Sequence, residues 1–182
     1  EWTTEFEIPP FSQIKDDDFA PAVAAAMQEA RSNIDAIAQN PDEPTFENTI
    51  EALEQADSML GRVLGVFFNI SGADSNPRRE ELQREFSPML AAFGSEITMN
   101  APLFQRIETL WSKRDDLGLS EEQMRVLMLT RRGFVRAGAQ LQGAARERLK
   151  DIKERLAVLS TEFVQNLLAD ERDWYMPLTE DD

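Results

Sequence analysis

Apolar residues recur three and four positions apart along almost the whole chain, and period-two alternation is confined to a weak "TEFEI" near the start. The pattern predicts an all-α protein. The first helix opens at "DDDFAPAV", where an Asp can cap, acids suit the helix dipole and Pro21 is tolerated early. Its inward stripe is Phe19, Val23, Met27, Ala30, Ile34 and Ile37 or Ala38, and Asn40-Pro41 ends it. A second helix starts after Pro44, with Thr45 as cap and Glu47 in the first turn. It carries Phe46, Ile50, Leu53, Leu60, Val63 or Leu64, Phe67 and Ile70 without interruption to "SGADSNP". A third runs from about Pro77 to Phe93, and Pro88 is expected to kink or divide it.

A fourth helix covers Pro102 to about Leu117. The fifth has the clearest start signal, Ser120 and Gln123 in capping-box spacing, and continues through Phe134 and Val135 despite Gly133. Gly138 and Gly143 leave open whether it joins the sixth as one rod. The sixth has a coiled-coil-like seam, Leu149, Ile152, Leu156, Leu159, Phe163 and Leu167, and is expected to end near Asp170 or Trp174. Short connections among about six helices imply an antiparallel bundle. Residues 1–15, with Pro9 and Pro10, read as an extended arm, and 16–182 as the helical domain.

Composition then narrows the function classes. The formal charge is −15, unevenly spread: 14 acids against Lys15 and Arg31 through Leu60, but nine bases against three acids from Arg125 to Arg155. So acidic a surface disfavours nucleic acid, and the basic stretch is expected to pack on the acidic first third. There is no cysteine, which suits a reducing compartment, and no histidine, which removes Ser-His-Asp and Cys-His catalysis and any His-ligated zinc. No apolar run approaches the ~20 residues of a membrane span, so no membrane is expected as a partner.

The remaining candidates for chemistry are thin. "KDDDF" and "LTEDD" could supply a carboxylate metal site, but adjacent acids on a helix diverge, so helix-start electrostatics is favoured. Phe67 and Phe68 cannot both face one core. The small residues of "RRGFVRAGAQLQGAA" would allow close helix packing, or a docking face. No catalytic, cofactor-binding or metal residue is assigned. The start lacks Met and signal-peptide features, and Thr179 to Asp182 read either as a helix start cut short or as a frayed acidic tail.

Three blocks carry a family resemblance: "PPFSQIKDDDFAPAVAAAMQEARSNIDAIAQNPDEPTFENTIEALEQAD", "GVFFNISGADSNPRREELQREFSPMLAAFGSEITMN" and "RRGFVRAGAQLQGAARERLKDIKERLAVLSTEFVQNLLADERDW". They resemble the N-terminal region of bacterial peptidyl-dipeptidases and oligopeptidase A, in the thimet oligopeptidase family of zinc metallopeptidases. The resemblance implies the N-terminal helical lobe of a larger, cytoplasmic helical peptidase. Its C-terminal catalytic domain would hold zinc on an HExxH helix and a downstream Glu, and none of those residues falls on this chain. This lobe would wall a channel admitting short peptides, pack on the missing domain, and be inert alone. The motifs favour dipeptide release over endopeptidase action. Two other classes stay open: a free-standing acidic helical adaptor for a protein partner, and a carboxylate-bridged metal enzyme.

Overall fold

The computed structural model describes residues 4–173. Among them the elements are helical throughout: α1 (Asp16–Ala38), α2 (Ala52–Gln55), α3 (Ser58–Ala73), α4 (Pro77–Thr98), α5 (Ala101–Lys113), α6 (Glu121–Ala137) and α7 (Gly143–Asp173). The all-α expectation therefore holds, with six long helices and one of four residues. Before α1 the chain is extended at Thr4, Ile8 and Ile14, and two single 3-10 turns, Glu5–Glu7 and Phe11–Gln13, interrupt it. Two compact units result, Glu1–Ala139 and Gln140–Asp182.

In the first unit α1 packs against α3, α4 and α5, while α6 packs against α4 and α5. The predicted stripe of α1 is its buried face, with Phe19, Val23, Met27, Ala30, Ile34 and Ile37 all in the core. Phe67 is fully buried and meets Phe19, Phe68 and Phe86 edge-to-face at centroid distances of 5.0, 5.2 and 5.0 Å. Its neighbour Phe68 is 44% exposed, so the two split between core and surface as adjacent helical positions must.

The structure departs from the expected elements in three places. The predicted second helix is not continuous: Phe46–Glu51 winds as a π-helix, α2 follows, and the chain breaks at Ala56 and Asp57 before α3. The break is stable because Asn33 Nδ2 donates to the Ala56 carbonyl at 3.0 Å and Ser58 Oγ to the Gln55 carbonyl at 2.6 Å. Pro88 does not divide α4, which runs unbroken to Thr98. Leu82, Phe86 and Phe93 are buried on either side of the proline, and that burial outweighs one missing backbone hydrogen bond.

The third departure concerns the small residues. Gly138 adopts φ 103 as the left-handed cap of α6, so the fifth and sixth predicted helices are separate. A Cβ on Gly133 or Gly143 would meet nothing within 4 Å, so close helix approach is not what these two glycines serve. The second unit is described by α7, which is helical up to the last described residue, Asp173, so an end at Trp174 lies outside the described residues.

Candidate functional site

The segment Asn40 to Asp57 is rich in polar contacts. Thr45 Oγ1 accepts from the Asn48 backbone at 3.1 Å, and Asn48 Oδ1 accepts from the Thr45 backbone at 2.9 Å, a reciprocal cap at the π-helix start. Thr45 is thus the predicted cap, with Glu47 in the first turn as expected, and its reciprocal partner is Asn48. Asn48 Nδ2 also donates to the Glu43 carbonyl at 3.0 Å, closing the loop between the two prolines.

Arg106 of α5 locks this segment from below, and sequence reasoning missed it. Its guanidinium is buried, at 7% exposure, and donates to four oxygens: the Asn40 and Asp42 carbonyls at 2.7 and 3.0 Å, Asn48 Oδ1 at 2.8 Å and Thr49 Oγ1 at 3.3 Å. Thr49 is itself fully buried. A planar fork with five donors suits such convergent acceptors, which a lysine could not satisfy together. The only signal in the sequence is a polar side chain one position before Ile107 on an apolar stripe, which does not distinguish a clamp from a solvated residue.

The acids of "KDDDF" are spent on structure. Asp16 accepts from Asn76 Nδ2 at 2.8 Å and from Arg79 Nε at 2.7 Å, Asp17 from Arg78 Nε at 3.2 Å, and Asp18 caps the Lys15 backbone at 2.8 Å. The Asn76 hydrogen bond, then that of Arg79, holds the Asp16 carboxyl below the ordinary value of 3.8. A depressed folded pKa stabilises the fold above the unfolded value, and that contribution is lost as pH falls through the folded one. Stability is therefore expected to fall below about pH 4, and Asp16→Asn should flatten that limb when chemical-denaturation midpoints are measured against pH. The "LTEDD" acids lie outside the described residues.

Part of the basic stretch packs as expected, since α6 lies against the Phe46–Glu51 turn of the acidic first third. Among the ion pairs, acids of that third meet Arg78, Arg79 and Lys113, while Arg131 pairs with Glu108 at 2.6 Å. Arg131 and Arg114 also lie over Trp111, at 5.1 and 4.5 Å from its ring centroid. Helix order brings the bases between 78 and 113 onto the acids before residue 60, which charge counting alone does not reveal.

Among the concavities of the first unit, two lie beside residues singled out by the sequence. One, of about 280 Å³, lies between the arm and α1 and α3, with Pro10, Ile14, Phe19, Val63 and Val66 among its lining. The other, of about 240 Å³, has an apolar floor of Phe46, Ile50 and Val126 with Glu51, Glu54 and Glu122 around it. Neither brings a nucleophile to a base. No three acids converge as a metal site among the described residues, and the sequence has no His or Cys, so the residues present do not fit a zinc centre. No helix among those residues is long and apolar enough to cross a membrane.

Fold and site together define a helical module whose ordered polar chemistry is architectural. Over 167 residues, 92% of this chain, it is 40% identical to the dipeptidyl carboxypeptidase of Escherichia coli (strain K12), covering 24% of that protein. It is 38% identical over 90% of its length to the dipeptidyl carboxypeptidase of Salmonella typhimurium, again 24% of that protein. With oligopeptidase A of Escherichia coli it shares 24% identity over 98% of its length and 26% of that protein. The chain thus spans about a quarter of the length of these relatives, and no family model matches it. The resemblance to the N-terminal region of bacterial peptidyl-dipeptidases and oligopeptidase A holds over nine-tenths of the chain.

Proposed function

We propose that this chain is the helical N-terminal region of a cytoplasmic, zinc-dependent peptidyl-dipeptidase, in which it forms a wall of the channel that admits short peptides. The observation that carries the reading is the 40% identity to a dipeptidyl carboxypeptidase over 92% of the chain, against 24% to an oligopeptidase A. That difference favours dipeptide release over endopeptidase cleavage. Zinc would supply Lewis-acid and water-activating chemistry from a C-terminal catalytic domain. This chain's part is mechanical: it holds a rigid helical surface, fixed at the Asn40 to Asp57 segment by Arg106, against that domain and limits the size of substrate.

The chain alone, with zinc supplied, is expected to leave short peptides uncut. Adding the catalytic region in trans is expected to restore release of C-terminal dipeptides, read by mass spectrometry. Chelator-resistant cleavage by the isolated chain would refute the reading. The acid-rimmed concavity at Glu51, Glu54 and Glu122 favours a second reading, an adaptor for a basic apolar peptide. Saturable binding of such a peptide, lost in Glu54→Lys, together with failure of the complementation, would select it.

A further inference from the structure

We propose that the exposed face of α6, with the acid-rimmed concavity at its N-terminal end, is a track for a short peptide with both termini free. The ammonium end lies at the acids and the carboxylate end at the arginines. The proposal rests on the peptidase reading above and gives it a site for the charged ends of its substrate. Glu122, Arg125, Leu129, Arg132 and Arg136 recur three and four positions apart, so they share one side of the helix. All five are exposed, whereas Leu127 and Phe134 on the other side are buried.

The two signs of charge separate along this face. At one end Glu122 joins Glu51 and Glu54 around the apolar floor of Phe46, Ile50 and Val126. From Arg125 to Ala137 there is no acid, and Arg125, Arg132 and Arg136 follow in line with Leu129 between them. Among the described residues these three carboxylates and three guanidiniums form no ion pairs. The helix dipole has the opposite sense but carries only about half a charge at each end, less than the three full charges there. A chain of net charge −15 repels a peptide carboxylate over most of its surface, and a row of arginines attracts it.

Length agrees with sign. Arg132 and Arg136 lie ten and fourteen positions beyond Glu122, about 15–21 Å along a helix axis. An extended peptide covers that distance with about five or six residues at about 3.3 Å each. Its side chains would meet the apolar floor and Leu129, contacts that set no strict sequence.

Pentaalanine with free ends is expected to bind the 182-residue chain saturably in an NMR titration, and either N-acetylation or C-amidation should weaken it about three- to tenfold. Glu54→Gln with Glu122→Gln should abolish the advantage of the free ammonium and keep that of the free carboxylate. Arg132→Gln with Arg136→Gln should do the reverse, with the urea midpoint of the first unit unchanged in both variants. Binding is read without the catalytic region, so it succeeds or fails separately from the complementation that tests the peptidase reading. No saturable binding, no penalty for blocking either end, or equal losses for free and blocked peptides in a variant would overturn the proposal. So would tighter binding of a doubly blocked lysine-containing peptide, which selects the adaptor.

Discussion

Replacing Arg106 by alanine is expected to destabilise the first unit by about 2–4 kcal/mol, measured as a lowered midpoint in urea or guanidinium titration. The guanidinium is buried and satisfies four acceptors, two of them the backbone carbonyls of Asn40 and Asp42 on either side of Pro41. Removing it leaves those oxygens without a donor, and an unsatisfied buried acceptor costs about 1–3 kcal/mol. Asp42 is exposed and Asn40 and Asn48 are half-buried, so water can replace some donors, which keeps the total below the simple sum. Arg106→Lys distinguishes charge from geometry. It keeps the cation but cannot span the four oxygens, and should recover little of the loss. Recovery of most of the stability would show that the fork is not what holds the segment.

Phe67→Ala is expected to cost about 3–5 kcal/mol in the same measurement. The ring is fully buried and forms three edge-to-face pairs, with rings on α1 and α4 as well as its own neighbour. Truncation removes buried apolar area and opens a cavity at the junction of three helices, and the aromatic pairing is lost as well. Phe68→Ala serves as the control: at 44% exposure it should cost under about 1 kcal/mol. Equal effects at the two positions would contradict the assignment of Phe67 alone to the core.

Helix identity was legible because burial and periodicity agree. The stripe from Phe19 to Ile37 and the capping pair Ser120 and Gln123 stand where their spacing placed them, the latter with reciprocal hydrogen bonds of 3.0 and 3.2 Å. What could not be read depends on partners distant in sequence. The break at Ala56 rests on Asn33, 23 residues away, and the Arg106 clamp on oxygens 57 to 66 residues away. Pro88 argued locally for a kinked or divided helix, and division is excluded because α4 runs through it with buried rings on both sides.

The "NPDEPTFENTI" segment shows the same division. Its cap was visible in the letters, yet the π-helical turn it starts and the arginine beneath it were not. Its density of interlocking bonds gives a physical reason why this stretch is so tightly specified in composition. The apolar seam of α7 was legible as a pattern, while its exposure became known only from the structure.

The claim that this chain is one region of a peptidase is tested most directly by determining the reading frame of the native gene on the C-terminal side of Asp182. The expected result is a continuation that carries an HExxH helix and a downstream glutamate. A stop codon immediately after Asp182, or a continuation with no such helix, would contradict it.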